Sequence, residues 1–303
     1  MTLIRSCPVC GSPTENSKLF LQENIDQKRI TDLSYSSRKN PEYMCYRLIC
    51  CSTCELLYAS NPPEQKELAR SYHLANFDSS DEANDAAHSY IEAISPIFSK
   101  LKTKKSVLEI GAGTGVFLEL LRDEGFDQLV GVEPSLAAIS TAPVHRLEWL
   151  RMGIFDENLF PPESFDLICC FMTMEHVREP MDIASGAWRL LKPGGAFITV
   201  THDYKSLINR ILGKKSPIID IEHMQLFTRN SIFKLFKRSG FIEIETFPLI
   251  NRYSLDYWIR LSPIPKLLKQ ALQSINAATG LGRYKIGLNV GNSITVGFRV
   301  NEL

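Results

Sequence analysis

Two pairs of cysteines near the N-terminus have a spacing typical of metal ligands. Cys7 and Cys10 form one Cys-x-x-Cys pair, and Cys51 and Cys54 form a second. Two such pairs can surround one Zn²⁺ with four thiolates in a tetrahedron, which leaves no open position and makes the site structural. The sequence therefore predicts one zinc ion held by these four cysteines, with a hairpin or loop between the two pairs.

A glycine-rich turn is the second arrangement with chemical meaning. Gly111, Gly113 and Gly115 follow the apolar run 106–110, and glycines there let the backbone turn sharply and approach a ligand closely. The next residues, from about Thr114, open a helix whose free N–H groups favour a carboxylate. Glu133 ends the next apolar run, where its carboxylate is placed to bind both hydroxyls of a ribose.

The spacing of these glycines argues against a dinucleotide. A nicotinamide-binding turn requires its third glycine where this chain has Val116, whereas Gly115 comes one residue earlier. A nicotinamide oxidoreductase is therefore disfavoured. A tight turn that binds nothing remains the simplest alternative.

Around these motifs the chain alternates between expected strands and helices. The apolar runs expected to form strands are 106–110, 129–133, 146–152, 165–171, 196–200, 241–247 and 293–300. A turn is expected at 192–195, between a helix and the fifth run. Such alternation predicts an α/β fold with a parallel sheet covered by helices.

Five sequence blocks together resemble the class I S-adenosylmethionine-dependent methyltransferases. They are LEIGAGTG at 108–115, GVEPS at 131–135, SFDLI at 164–168, EHV at 175–177 and RLLKPGG at 189–195. The resemblance extends over about 106–241 and implies a Rossmann-like sheet of seven strands, whose last two strands are the late runs. It also implies methyl transfer from S-adenosylmethionine.

The resemblance assigns the cofactor contacts as well. The residues expected to bind S-adenosylmethionine are Glu109, Gly111, Ala112, Gly113, Thr114, Gly115, Glu133, Pro134, Ile154, Phe155 and Phe171. Many relatives place an aspartate directly after a glycine equivalent to Gly153, where it binds the adenine amino group. Ile154 occupies that position here and Asp156 comes two residues later. Backbone groups at Ile154 and Phe155 are therefore expected to bind adenine.

His223 and His176 are the candidate catalytic bases, in that order. Both follow strand ends that should face the ligand crevice of this fold, and a histidine accepts a proton near neutral pH without special surroundings. For His176, anchoring a helix N-terminus is the alternative role. Ubiquinone-pathway O-methyltransferases share the EHV block but carry an additional metal-binding acid where this chain has Met172, which argues against a metal-assisted mechanism.

The motifs divide the chain into three expected parts. Residues 1–60 are a small zinc-ribbon-like module and 61–105 a helical connector. Residues 106–303 are the methyltransferase domain, with a lid or substrate insertion around 204–230 and 251–290.

The expected function is methyl transfer to a small-molecule acceptor such as a sugar or a lipid-like compound, because similar enzymes with an N-terminal cysteine module include sugar methyltransferases. The alternatives are an RNA methyltransferase that holds RNA with its zinc module and a non-catalytic scaffold that binds the cofactor. Lys+Arg and Asp+Glu number 34 each, which argues against nucleic acid. No apolar run is long enough for a signal peptide or a membrane span, so we expect a cytoplasmic protein.

Overall fold

A seven-stranded sheet with helices on both faces carries the functional residues. The computed structural model describes residues 5–31, 33–36, 41–75, 80–262 and 264–300. Within these ranges the strands are β1 (Ser17–Leu21), β2 (Leu48–Cys51), β3 (Leu57–Ala59), β4 (Ser106–Ile110), β5 (Gln128–Glu133), β6 (Leu150–Met152), β7 (Phe165–Phe171), β8 (Leu191–His202), β9 (Gln225–Leu226), β10 (Ile242–Pro248), β11 (Asn251–Ser254), β12 (Lys285–Leu288) and β13 (Asn292–Phe298).

The helices separate these strands along the chain. The α-helices are α1 (Gln65–Leu74), α2 (Ser80–Ile94), α3 (Val116–Asp123), α4 (Leu136–Thr141), α5 (Pro180–Leu190), α6 (Leu207–Leu212), α7 (Arg229–Arg238), α8 (Leu255–Leu261) and α9 (Lys266–Thr279). The 3₁₀ helices are Thr14–Asn16, Gln27–Arg29, Ser95–Lys100, Val144–Trp149, Glu157–Leu159, Gly213–Lys215 and Leu281–Arg283. None of the helices in the described ranges is long and apolar enough to span a bilayer.

The strand order confirms the expected sheet of seven. It is β10-β13-β8-β7-β4-β5-β6, in which β4 to β8 run parallel and β13 pairs antiparallel with both β8 and β10. The chain order reverses at β4, because β5 and β6 follow on one side of it while β7 and β8 follow on the other. A crevice at the carboxyl ends of the strands is expected at such a switch point.

Strand β7 separates two apolar cores. Its seven residues are all buried, and alternate side chains point to opposite faces of the sheet. Ile168 and Cys170 belong to the core that includes α5 and α7, whereas Leu167 and Cys169 belong to the core that includes α2 and α3. The continuous apolar run of the sequence is therefore explained by burial on both faces.

Strand β8 begins at Leu191, earlier than expected, and the turn expected at 192–195 lies within it as a bulge, where Gly194 has φ +82°. The pairing of β7 with β8 shifts at this point, because Phe165 pairs with Leu191 whereas Leu167 pairs with Ala196. A Cβ added at Gly195 would lie 2.9 Å from the carbonyl oxygen of Asp166. Glycine is thus required at position 195 because the two backbones approach closely at this bulge.

A second sheet, of order β1-β2-β3-β9, contains the cysteine-rich segment. Its last strand, β9, comes from more than 160 residues later in the chain and pairs antiparallel with β3. Arg5 reinforces this junction, since its buried guanidinium donates hydrogen bonds to the carbonyl oxygens of Ala59 at 2.9 Å and Met224 at 3.1 Å. The cysteine-rich segment therefore shares a sheet with the residues that follow His223.

Asp166 fixes the amino end of the parallel strands. Its buried carboxylate accepts hydrogen bonds from the backbone N–H groups of Lys105 at 3.0 Å and Ser106 at 2.8 Å, and it pairs with Lys192 at 3.1 Å. Burial raises the pKa of this carboxyl, but the hydrogen bonds from Thr103, Ser106 and Lys192 outweigh burial and lower the pKa from 3.8 to about 2.

We predict that Asp166→Asn lowers the free energy of unfolding by about 2 kcal/mol near neutral pH. The folded-state pKa is depressed, so the carboxylate contributes its stability above about pH 4 and loses it as the pH falls toward about 2. Urea unfolding at several pH values should therefore show a steeper acid loss for the wild type than for the variant. Asp127→Asn, at an exposed carboxyl, is the control, and parallel curves for wild type and Asp166→Asn would contradict this role.

Candidate active site and metal centre

A cavity of about 700 Å³ lies at the carboxyl ends of the parallel strands. Its volume lies within the usual range for ligand sites, about 300–1,000 Å³. Ten of the eleven residues expected to bind the cofactor line it, as do His176 and His223. The exception is Gly115, which precedes α3 with φ +72° and packs toward Leu150.

The glycine turn leaves its backbone open to this cavity. Gly111 has φ +80°, and a Cβ there would lie 2.2 Å from the Oγ1 of Thr173. Gly113 has φ +53°, but a Cβ there would meet no atom within 4 Å, so this residue borders open space. The first glycine is needed for close packing and the second for its backbone conformation.

Glu133 is held against the turn. Its Oε2 accepts a hydrogen bond from the N–H of Gly113 and its Oε1 accepts one from the N–H of Ser135, both at 2.8 Å. Burial raises the pKa of this carboxyl, and the two N–H groups oppose that rise. Each carboxylate oxygen retains capacity for another donor, so the pair of oxygens is positioned for the two hydroxyls of a ribose.

Glu109 is a buried acid without a complete set of partners. It lines the cavity with only 4% of its surface exposed, and its Oε2 has no hydrogen-bond partner. Burial, together with the charge of Glu133, raises its pKa well above the usual value. A cationic ligand group would stabilise the ionised form, and S-adenosylmethionine carries both a sulfonium and an ammonium. These residues therefore fit that cofactor.

The third part of the expected cofactor site lies at Ile154 and Phe155. Asp156 does not line the cavity, because its Oδ1 accepts from the N–H of Asn158 at 2.9 Å and caps a short helix. Asp182, on α5, does line the cavity, and the sequence analysis did not identify it. Helix α5 therefore contributes one carboxylate, that of Asp182, to the lining of the cavity.

Three histidines meet in the same cavity. The ring centroids of His176 and His223 are 4.8 Å apart, and those of His202 and His223 are 5.3 Å apart. The Nδ1 of His223 lies 2.8 Å from the carbonyl oxygen of Ile218. A carbonyl only accepts, so Nδ1 carries the hydrogen and Nε2 carries the lone pair.

His202, which also lines the cavity, was not identified as a site residue by the sequence analysis. Its Nδ1 lies 2.7 Å from the Oδ1 of Asn292, so it donates there. Burial lowers its pKa to about 4, and the bond to Asn292 opposes that shift. Near neutral pH His202 is therefore an uncharged ring beside His223.

Tyr72 also reaches the histidines from α1. Its hydroxyl donates to the carbonyl oxygen of Glu222 at 3.0 Å and lies 3.0 Å from the Nδ1 of His176. The same carbonyl lies 3.1 Å from that nitrogen, so Nδ1 of His176 donates to it. The sequence analysis did not identify Tyr72 as a site residue.

Glu175 does not line the cavity but connects the segments that do. It is fully buried, and its Oε1 accepts from the backbone N–H of His202 at 2.6 Å. Its own carbonyl oxygen accepts from the N–H of Met224 at 2.8 Å. Burial raises its pKa to about 8, against the opposing hydrogen bond from His202. Of the EHV block, the histidine thus faces the cavity and the glutamate supports its walls.

The four cysteines of the two pairs converge on one point. Their sulfur atoms all lie within 4.8 Å of one another, with Cys7 and Cys54 at 3.4 Å and Cys10 and Cys51 at 3.5 Å. A tetrahedral zinc ion with bonds of about 2.3 Å requires sulfur separations of about 3.8 Å. The thiols are therefore arranged as such an ion needs. They are the one group of three or more converging His, Cys, Asp or Glu ligands in the described ranges.

Comparison with known proteins identifies the family. Residues 82–245, more than half of the chain, match the family model described as a methyltransferase domain. The chain belongs to this methyltransferase family. The ubiquinone biosynthesis O-methyltransferase of Aliivibrio fischeri strain MJ11 is 25% identical over 169 residues, which cover 50% of this chain and 72% of the relative. The same enzyme of Vibrio atlanticus strain LGP32 is 29% identical over 117 residues, 36% of this chain and 49% of the relative.

Solved structures with this fold include one from Thermotoga maritima, described as an S-adenosylmethionine-dependent methyltransferase and possible histamine N-methyltransferase. It is 22% identical and covers 72% of this chain and 91% of its own, with a TM-score of 0.48. The family match excludes the nicotinamide alternative. The protein is an S-adenosylmethionine-dependent methyltransferase.

Helix α7 of the methyltransferase lies against the cysteine pairs. Arg238 donates to the carbonyl oxygen of Cys10, Lys234 to that of Thr53, and Asn230 to that of Cys54. These side chains thus bind the backbone of both pairs, and the four-cysteine cluster packs directly against α7.

We predict that Glu133 binds the ribose of the cofactor, and that Glu133→Ala weakens binding of S-adenosylhomocysteine at least about tenfold, since two charge-assisted hydrogen bonds are lost. Isothermal titration calorimetry measures the affinity, and the melting temperature reports folding. Glu148→Ala, outside the cavity, is the matched control. An unchanged affinity in a folded Glu133→Ala protein would show that the ribose binds elsewhere.

Proposed function

We propose that this enzyme methylates a small molecule at a hydroxyl or an acidic C–H group, and that His223 removes the proton. The observation that carries this proposal is the cluster of His176, His202 and His223 in the cavity that also contains the glycine turn. The relatives named as ubiquinone biosynthesis O-methyltransferases support transfer to a small molecule.

His223 is the best-placed base of the three. It is 7% exposed, and its Nε2 lies 3.9 Å from the Oε1 of Glu222. The two residues lie in a turn rather than on a helix, so adjacent side chains can face each other. A carboxylate at this distance stabilises the imidazolium that forms when His223 accepts a proton. His176, its neighbour, is the second candidate.

The reaction needs alignment and a proton acceptor. The sulfonium of S-adenosylmethionine supplies an electrophilic methyl group. The Nε2 of His223 takes the acceptor's proton, the freed electron pair forms the bond to the methyl carbon, and the bond from sulfur to that carbon breaks. The walls of the cavity hold the acceptor in line for this attack.

The wall formed by β11 and α8 favours an acceptor with an apolar face. Tyr253, Tyr257 and Trp258 line the cavity, and the ring centroids of the two tyrosines are 4.4 Å apart. Aromatic faces pack against sugar rings as well as against lipid-like rings. Polar groups at His202 and Asn292 border the same space. We propose an acceptor that combines an apolar face with hydrogen-bonding groups, as a sugar or a lipid-like ring compound does.

We also propose that Cys7, Cys10, Cys51 and Cys54 hold one structural zinc ion. The convergence of the four thiols supports this. The contacts of α7 with the backbone of both pairs support a role in stabilising the fold rather than in holding RNA. We propose that residues 1–60 form the zinc module. Strand β9, which belongs to the methyltransferase domain, completes its sheet by pairing with β3.

His223→Ala should lower the rate of methyl transfer by about 100-fold or more, because a positioned general base contributes that much. Mass spectrometry of a cell extract incubated with enzyme and methyl-labelled S-adenosylmethionine would first identify the product. Initial rates then compare the variants. Binding of S-adenosylhomocysteine should change by less than about twofold, since a base on the acceptor side does not contact the donor.

His88→Ala, at an exposed histidine of α2, is the control for this experiment. Unchanged turnover in both His223→Ala and His176→Ala would remove the case for a histidine base, and alignment alone would become the better account.

Elemental analysis of the purified protein should find about one zinc ion per chain. Cys54→Ser should lose the zinc and make the N-terminal segment sensitive to proteases, because metal binding is coupled to local folding. Cys50→Ser is the matched control, since Cys50 is a neighbouring thiol outside the cluster. A zinc-free wild-type protein with a protease-resistant N-terminus would refute the proposal.

A further inference from the structure

Asn251 is a buried amide without a structural partner. It begins β11, has 0% of its surface exposed, and lines the cavity. Neither its Oδ1 nor its Nδ2 has a hydrogen-bond partner. Among the described residues, Glu109 is the other cavity-lining side chain with such an atom. A cationic group of the cofactor would pair with Glu109, whereas the cofactor contacts proposed for this site leave Asn251 without a partner.

An unpaired amide at this position is costly. Burying a polar group without a partner costs about 1–3 kcal/mol. Other buried asparagines are bonded: Asn292 to His202, Asn209 to Ser216, and Asn276 to Asp256. An aliphatic side chain would suit the interior better than Asn251 unless a ligand completes its hydrogen bonds.

The backbone places Asn251 between the aromatic wall and the histidines. Its carboxyl-side neighbour on the same face of β11 is Tyr253, two residues on, which also lines the cavity. On the other side, the N–H of Leu249 donates to the carbonyl oxygen of Asn292 at 2.9 Å, and Asn292 bonds to His202. The amide therefore belongs to the part of the cavity proposed for the acceptor.

We propose that Asn251 recognises an uncharged hydroxyl or carbonyl group of the methyl acceptor. The amide offers one acceptor oxygen and two N–H donors and carries no charge, so it matches a group that both donates and accepts, or a carbonyl that accepts. An acceptor that lacks this group leaves the buried amide unpaired and is rejected. This inference rests on the proposed function, because it assumes an acceptor in this cavity.

The test exchanges amide for hydrocarbon at two buried positions of the full-length protein. Asn251→Leu replaces both unpaired polar groups by methyl groups in a side chain of the same branching. Asn276→Leu makes the same exchange where the amide donates to Asp256 at 2.7 Å and does not line the cavity. Three quantities are measured: the melting temperature without ligand, the affinity for S-adenosylhomocysteine, and the incorporation of labelled methyl groups at increasing concentrations of a small-molecule cell extract.

Asn251→Leu should keep or raise the melting temperature, because removing unpaired groups is neutral or stabilising. Its affinity for S-adenosylhomocysteine should stay within about twofold of the wild type, and the extract concentration for half-maximal incorporation should rise at least about tenfold. Asn276→Leu should lower the melting temperature, because Asp256 loses a partner, and leave the extract dependence unchanged.

Three outcomes would overturn the proposal. A melting temperature that falls as far as that of Asn276→Leu makes the amide structural, and a loss of S-adenosylhomocysteine affinity of more than about fivefold places it on the donor. If Asn251→Leu needs the same extract concentration for half-maximal incorporation as the wild type, Asn251 has no role in recognising the acceptor.

If the wild type incorporates no methyl at all, the proposed function fails by itself. Mass spectrometry of extract compounds retained on each protein with S-adenosylhomocysteine then decides, and equal retention by wild type and Asn251→Leu overturns the role of Asn251.

Discussion

The parallel register of β4, β5 and β7 determines where the glycine turn and the groups around it lie in the cavity. Glu109 on β4 is level with Gly131 on β5 and with Cys169 on β7. The carboxyl ends of these strands therefore reach one edge together, and the glycine turn, Glu133 and Phe171 follow at that edge. At the opposite end, Asp166 binds the backbone where β4 begins. Its contacts fix the strands at their start, and the cavity forms where they end.

The part of the cavity around the glycine turn was largely predictable from the sequence, because its signals are local. A strand, a glycine turn, a helix start and an acid at the end of the next strand lie within a short stretch, and each residue contacts others nearby in the chain. Glu133 bonds to Gly113 in just this way. The cysteine pairs are also recognisable, because their spacing alone indicates a metal site. The early start of β8 was missed, since residue preferences for a turn at 192–195 cannot reveal that these residues bulge within a strand and that Gly195 must admit the backbone of Asp166.

The part of the cavity around the histidines was only partly predictable, because its residues come from distant segments. Tyr72 meets His176 from a helix more than a hundred positions earlier in the chain. His202 becomes a site residue only through its contacts with His223 and Asn292. Asn251 carries no motif, and its significance is that it lacks a partner, which no sequence pattern can indicate. Tertiary packing, rather than residue type, selects these three.

The region that the family model matches ends before the cavity does. Residues 82–245 include the glycine turn and all three histidines, but Tyr72, Asn251 and Tyr253 lie outside them. Relatives that share the matched region can therefore inherit the same donor chemistry while differing in the walls that meet the acceptor. In evolutionary terms, the flanking segments are where a new substrate preference would arise, and a comparison restricted to the shared region would not register the change.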